Sequence, residues 1–268
     1  AAGNPTGVFV DNAMDMVEAA IPADDNARLD LVLEKSLETM AEVGLTGAHD
    51  AGMDKPTWDR YVRFARAGKL TARIYAMAAG PANRKAIAPN GPIPWSEGDL
   101  VAMQSMKLVS DGALGSRGAY LIAPYSDMPN TRGLEITPAD KLKTYVTEAS
   151  REGFQVNTHA IGDQANRSTM DAYAAVPAAE RAARRHRNEH AQIVDMADLG
   201  RFASLNVIAS MQPTHATSDK GMAEARLGEG RLGGAYAWQQ IKKSGAQLAF
   251  GSDFPVEPPD PMFGLHAA

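Results

Sequence analysis

Three side chains able to bind a metal stand at the ends of stretches that read as β-strands: His159 in GFQVNTHAIGD, His190 in RHRNEHAQI and Asp253 in AQLAFGSDF. The histidines are 31 residues apart and the aspartate follows 63 residues later. One strand–helix unit of a parallel sheet takes about 30 residues, so this spacing can bring all three to one level of consecutive or next-but-one strands. Imidazole and carboxylate together suit Zn²⁺ or another borderline divalent cation. Strand alternation adds to this. Phe154, Val156 and Thr158 fall on one face, and Gln155, Asn157 and His159 on the other, a polar set that an ordinary half-buried strand would leave in water. In the last stretch Gln247, Ala249, Gly251 and Asp253 share a face opposite Leu248 and Phe250. Lys107, in SMKLVSDG, is a fourth candidate. A bare ammonium is a poor ligand, whereas a lysine that has taken up CO₂ is a carbamate able to bridge two cations. The plainer readings are a hydrogen-bonded His159 before a capped helix, and a Lys107 paired with Asp111 or Asp253.

The elements that must hold these residues alternate in type. Residues 1–23 read as loop. From Asp24, DDNARLDLVLEKSLETMAEVG offers two N-caps and apolar residues at 29, 32, 33, 37, 40 and 43, a helix closed by Gly44. Strands are expected at 45–52, 71–80, from 105, at 154–159, in RHRNEHAQI, at 206–215 and from 246. Helices are expected in TWDRYVRFARAGKL, at 138–152, at 163–175, near 195–203, in AYAWQQIKKSG and at the final PMFGLHAA. The segment PANRKAIAPNGPIPWSEGD reads as irregular. Seven strands separated by helices, without hairpin signals, predict an α/β fold with a parallel sheet. The chain opens without an initiator Met and stops as a helix begins. Seven units cut at both ends suit a (β/α)₈ TIM barrel lacking its first strand, one partial domain over 1–268; a doubly wound open sheet is the alternative.

Composition narrows the class. The apolar fraction is 44% and the net charge −5, and the densest basic run, AARRHR ending at Arg187, is too short to argue for nucleic acid. No cysteine is present, which excludes disulfides and thiolate metal sites. No apolar run reaches transmembrane length and no signal peptide is visible, so no membrane partner is expected. The compartment stays open, with the cytoplasm the default, and a homo-oligomer is compatible with everything above.

In order, KLVSDGALGSRGA, VNTHAIGDQANR, RNEHAQIV, SMQPTHATSD and GSDFPVEPPDPMFGLHAA resemble the amidohydrolase superfamily, and within it amidohydrolase family 3, the YtcJ-like and N-substituted formamide deformylase group. The resemblance runs from about Gly3 to the end. It implies a metal-dependent (β/α)₈ barrel with a small β-sandwich built from both chain ends, of which the N-terminal part and strand 1 lie outside this sequence. It implies Lys107 on strand 4 as a carboxylated bridging ligand, His159 on strand 5, His190 on strand 6, and Asp253 on strand 8 as ligand and general base, around one or two divalent ions such as zinc. The His-x-His pair that the family carries on strand 1 is absent. The expected reaction is hydrolysis of a C–N bond in a small amide or formamide-like substrate, with His215 and Arg117 touching that substrate.

Other patterns compete. His186, Glu189 and His190 spell H-x-x-E-H, the signature of inverted zinc peptidases, which requires a helix. Read as a strand, the same residues put His186, Asn188 and His190 on one side and Glu189 on the other. Gly228 to Gly233 satisfies G-x-G-x-x-G without a preceding strand and reads as a loop. LGSRG lacks the first glycine of a nucleophile elbow, so Ser116 is expected to shape a loop. His49 could be structural or face the substrate, and His266 is a helix residue. A non-catalytic piece without the His-x-His ligands is the remaining alternative.

Overall fold

The computed structural model describes residues 7–268. The loop reading of residues 1–6, and the start of the resemblance near Gly3, lie outside the described residues. Three helices begin on aspartate caps. Asp25 accepts a hydrogen bond from Arg28 N–H (2.8 Å) and opens α2 (Asn26–Glu42), which follows the single turn α1 (Asp15–Glu18). Asp54 accepts from Thr57 N–H (2.9 Å) at the start of α3 (Lys55–Arg66). Asp260 accepts from Met262 N–H (2.9 Å) at the start of the last helix. In each case the carboxylate satisfies an orphan N–H of the first turn.

The strands are β1 (Gly47–Met53), β2 (Arg73–Ala79), β3 (Ile93–Ser96), β4 (Val101–Val109), β5 (Gln155–Ala160), β6 (Arg187–His190), β7 (Ile208–Met211) and β8 (Leu248–Phe250). The intervening helices are α4 (Gly80–Ile87), α5 (Ala139–Arg151), α6 (Asp163–Ala174), α7 (Ala178–Arg184), α8 (Leu199–Ser204), α9 (Pro213–Asp219), α10 (Ala223–Leu227) and α11 (Trp238–Lys243), with α12 (Pro261–Ala267) last. The sheet runs β1-β2-β4-β5-β6-β7-β8 with every neighbouring pair parallel. Among the described residues no pairing joins β1 to β8, so the sheet is an incomplete (β/α) barrel. The seven parallel strands are the seven expected from sequence.

Three expectations need correction. Within the stretch to residue 23 that reads as loop, Asp15–Glu18 form the helical turn α1. Residues 80–99 are not irregular: they form α4 and β3, which pairs antiparallel with β4 (Ser96↔Val101, Ile93↔Met103). The turn between them holds Glu97, Gly98 and Asp99 at positive φ (51°, 73° and 62°), so a hairpin is present where none was expected. Pro94 in a four-residue strand hid it, because proline tolerates only an edge position. β4 accordingly starts at Val101, with β3 on the half of its edge that β5 takes from Ser105 onward.

The helices cover the outer face of the sheet. Leu142, Val146 and Ala149 of α5, Met170 and Tyr173 of α6, Val156 of β5 and Phe154 just before it are fully buried there. The Tyr173 hydroxyl donates to the Arg187 carbonyl (2.6 Å) and meets Thr158 Oγ1 at 2.8 Å, tying α6 to both β5 and β6. Its ring stacks on His186 at 5.0 Å, and His186 Nδ1 accepts from Val156 N–H at 3.0 Å. Burial, followed by the charges of Arg184 and Arg181, pushes His186 down to about 4. No helix among the described residues is long and apolar enough to cross a membrane.

His186 therefore gives an acid-sensitivity test. The unfolded chain takes up a proton there as pH falls through about 6.5, while the folded protein resists until about 4. Its stabilising contribution is complete above that window and is lost as pH falls across it, by up to about 1.4 kcal/mol per pH unit. Urea midpoints of the full-length protein between pH 6.5 and 4.5 should fall less steeply for His186→Gln. Identical slopes would show that the ring titrates alike in both states.

Candidate active site

Strand register fixes which side chains enter the barrel. Asn157 of β5 pairs with Lys107 and Arg187, and His159 pairs with Val109 and Glu189, which in turn pairs with Ser210, itself opposite Ala249. Residues directly paired in a parallel sheet lie on one face. Contacts identify that face as the interior: Asn157 Nδ2 donates to Met77 Sδ (2.9 Å) and the Tyr75 hydroxyl to Gln155 Oε1 (3.1 Å), both across the sheet. The polar face expected for β5, and the inward Ala249 of β8, are found there. Gly52 sits in a bulge of β1 with φ 137°, and a Cβ there would touch Lys107 Cγ at 3.9 Å, so the missing side chain leaves room over the lysine.

On β6 the period of two puts Arg187 and Glu189 inside, so His190 should point to the helices with Asn188, which donates to Asn166 Oδ1 (2.7 Å). It does not. His190 and Ala191 have φ of 78° and 45°, which breaks the alternation and turns the ring into the site. The His159 and His190 rings are 4.5 Å apart between centroids, edge to face. His190 Nδ1 lies 2.9 Å from Gln212 Oε1. The expectation that His190 keeps step with His186 and Asn188 is thus corrected. The H-x-x-E-H reading fails too, because residues 187–190 are a parallel strand between β5 and β7 and not a helix.

Lys107 and Asp253 complete the set. Lys107 lies two residues before the end of β4, and burial lowers its pKa, with Arg187 acting in the same direction against Glu189, Asp253 and Asp50. Asp253 follows β8 on an exposed turn at φ 57°, with its charge felt by Lys107 and His190. His159 is pushed well below the ordinary imidazole range by burial, then by His190 and Lys107; burial also lowers His190. Both rings are therefore neutral at pH 7 and keep a lone pair. His159 Nε2 and His215 Nε2 are buried without a hydrogen-bond partner, as is Glu189 Oε1, although the last lies 2.8 Å from Arg187 Nε in an ion pair. Unpartnered imidazole nitrogens beside a buried lysine fit part of a metal shell. Among the described residues, no three His, Asp or Glu side chains gather around one point.

The other candidates are placed as follows. His215 does not end a strand: it lies in the first turn of α9, where its ring stacks over His190 at 6.1 Å. The Arg117 guanidinium is held by Asp127 (3.1 and 2.9 Å), which also pairs with Arg226 of α10; this ties the loop after β4 to α10, and the arginine is engaged in that clasp. Ser116 donates to Ala113 O within the same loop (3.1 Å). His49 faces inward, 2.5 Å from Arg187, and His266 sits in α12. The Gly228–Gly233 stretch is a tight turn, Glu229–Gly234, as its lack of a preceding strand implied.

Of four further polar residues around the site, Arg187 and Gln212 were not singled out from sequence, Glu189 stood only in the H-x-x-E-H pattern and Asp111 only as a partner for Lys107. Arg187 bonds His49 (2.5 Å), Glu189 Oε2 (3.0 Å) and Ser210 Oγ (2.8 Å), spanning the interior from β6 to β1. Glu189 is held below the usual carboxylate range by Arg187 although burial alone would raise it. Asp111 is fully buried, accepts backbone N–H groups from Tyr120, Ile161 and Gly162, and lies 3.5 Å from His159 Nε2. Burial still pushes it up to about 7. Gln212 is the fourth. The available signal was a polar residue at inward positions of β6 for Arg187 and Glu189, and just past a strand end for Asp111 and Gln212.

The sequence pattern of the Amidohydrolase family matches residues 1–268. "Putative amidohydrolase YtcJ" of Bacillus subtilis (strain 168) is 31% identical over 271 residues, covering 99% of this chain and 50% of that protein. "Protein LONG AFTER FAR-RED 3" of Arabidopsis thaliana is 30% identical over 282 residues, covering 99% and 48%. The chain spans about half the length of these curated relatives. Among solved structures, an uncharacterized metal-dependent hydrolase from Pyrococcus furiosus superposes with TM-score 0.80 at 28% identity, over 95% of this chain and 52% of that one. Its counterpart from Pyrococcus horikoshii OT3 gives 0.83 at 25%, over 99% and 55%.

The Arg187–Glu189 pair makes a stability prediction. Arg187→Met leaves a buried carboxylate unpaired and should cost about 3–5 kcal/mol. Adding Glu189→Gln removes that charge and should restore part of the loss. A double variant no more stable than Arg187→Met in denaturant unfolding would mean that the pair is not energetically coupled.

Proposed function

This chain belongs to the amidohydrolase family, and from that premise we propose that it forms most of the active site of a metal-dependent hydrolase acting on a non-peptide C–N bond in a small amide or formamide-like molecule. The observation that carries the reading is the pair of neutral imidazoles, His159 and His190, 4.5 Å apart at the C-terminal ends of adjacent parallel strands. That end of the sheet is where barrel enzymes place their chemistry. His159, His190, Lys107 as its carbamate, and Asp253 would hold one or two divalent ions, zinc being the ion that this donor chemistry suits. When bound, such an ion supplies Lewis acidity, acidifying water and polarising the scissile carbonyl.

The chain's own residues divide the remaining work. Asp253 Oδ accepts the proton of the attacking water and returns it to the leaving nitrogen, as a positioned acid–base must. The support for this role is that its charge acts on Lys107 and His190. His215, stacked over His190 with Nε2 unpaired, is placed to meet the substrate. Arg117, whose Nε and Nη2 bind Asp127, keeps Nη1 for a contact with the substrate. Glu189 and Arg187 form the floor. The substrate is a small molecule and neither nucleic acid nor membrane enters the reaction.

Two substitutions in the full-length protein separate the roles. Asp253→Asn keeps the side chain's size and removes its basicity, so kcat should fall by about 10²–10⁴ while bound metal is retained. His159→Ala should deplete metal, with excess Zn²⁺ restoring it only in part. Metal content is measured beside turnover on a confirmed amide substrate. Full metal and near-normal kcat in Asp253→Asn would remove Asp253 from proton transfer.

A further inference from the structure

Gln212 follows β7 at once and precedes Pro213, the first residue of α9. The residue is buried, at 9% exposure, and its backbone is extended (φ −120°, ψ 99°). Its amide has two polar neighbours. Nε2 points to the Ser210 carbonyl oxygen at 3.5 Å, a long contact, and Oε1 lies 2.9 Å from His190 Nδ1. The opposite amide orientation would set Oε1 against the Ser210 carbonyl, acceptor against acceptor. Ser210 Oγ accepts from Arg187 (2.8 Å), and its hydroxyl bonds the Glu189 carboxylate. An amide oxygen only accepts, so the proton of the neutral ring is on Nδ1 and the lone pair on Nε2.

The ring needs such a tether. His190 reaches the site only through two successive left-handed residues, a conformation that side chains with a Cβ disfavour. The His159 edge contact at 4.5 Å and the His215 stack at 6.1 Å limit its tilt, but neither selects a nitrogen. Among the described residues, only the Gln212 bond distinguishes Nδ1 from Nε2.

We infer that Gln212 is a positioning residue: through His190 Nδ1 it fixes the imidazole's tautomer and aims Nε2 at the metal position shared with His159. This rests on the reading of His190 as a metal ligand, and Gln212 itself touches neither metal nor substrate. Partners of this kind typically contribute 10–100-fold to metal affinity.

The test uses the full-length protein with Zn²⁺ as probe, its affinity measured by chelator competition, and ¹⁵N-histidine NMR of the metal-free form. Wild type should show His190 as the Nδ1–H tautomer. Gln212→Leu, which keeps bulk and removes the acceptor, should weaken Zn²⁺ about 10–100-fold and leave a tautomer mixture. Gln212→Glu, which keeps an acceptor, should stay within about tenfold of wild type. An Nε2–H tautomer in the wild type overturns the inference, and so does wild-type affinity in Gln212→Leu beside a weakened His190→Ala. If His190→Ala itself binds Zn²⁺ as tightly as wild type, the ligand assignment falls, and the metal arm with it. Should Gln212→Leu not fold, the wild-type tautomer and Gln212→Glu decide the matter.

Discussion

A guanidinium held inside an incomplete barrel organises the interior. Arg187 extends from β6 to His49 on β1, four steps away in the sheet, and on its way bonds Glu189 and Ser210. A barrel interior is ordinarily filled by layers of branched aliphatic side chains. Here one layer is Lys107, Asn157 and Arg187, and the next is His159, Glu189 and Ser210. Buried charges are tolerable only when paired and hydrogen-bonded, because desolvation costs several kcal/mol per ion. Arg187 meets that condition with partners from three strands, and so constrains where each can lie. Lys107, His159 and His190 stand beside this polar layer, and burial is the largest cause of the downward pKa shift of all three.

The walls are fixed by backbone anchoring. Asp111 collects three N–H groups, from Tyr120, Ile161 and Gly162, and so binds the loop after β4 to the turn after β5. Gly162 is required at that turn, because a Cβ there would overlap the Tyr120 backbone. Asp163 then accepts from Ile122 N–H (2.8 Å), a second stitch between the same segments. Further out, Arg231 donates to the carbonyls of Ala123 (3.1 Å) and Pro124 (2.9 Å), and Asp127 joins Arg117 to Arg226. A loop of this length would otherwise be the mobile part of a barrel face. Its polar side chains serve the loop itself, and Arg117 gives Nε and Nη2 to that task.

What could be read from the sequence follows from what periodicity encodes. The seven parallel strands were legible because helical patterns separate them, and the nearness of His159 and His190 at adjacent strand ends followed from their spacing. The β3–β4 hairpin was not legible, since four residues containing Pro94 carry no alternation. The place of His215 was misjudged by a few residues, because Pro213 ends the strand and starts a helix where the apolar run continues in composition. Arg187 and Glu189 were hidden for another reason. In RHRNEHAQI alternation ranks His186, Asn188 and His190 together, and nothing local reveals that the backbone turns over at the last of them. Cross-interior partners such as His49, 138 residues away from Arg187, leave no local trace at all.

The departures from regular geometry coincide with the candidate chemistry. Gly52 bulges beside Lys107, His190 and Ala191 take left-handed φ where the second imidazole faces the first, and Asp253 takes a left-handed φ in the turn after β8. Each non-glycine residue held this way costs on the order of 1 kcal/mol or more, and persists only if its surroundings over-determine it. For His190 the determinants are visible: the Gln212 bond, the His159 contact and the strand pairing of Glu189 on either side. A regular sheet sets levels but can offer only every second residue to its interior. Adjacent Glu189 and His190 both face the site because the last residue of the strand, His190, takes a positive φ that breaks the alternation. That break places a buried anion and a neutral imidazole side by side, an arrangement that alternation alone forbids.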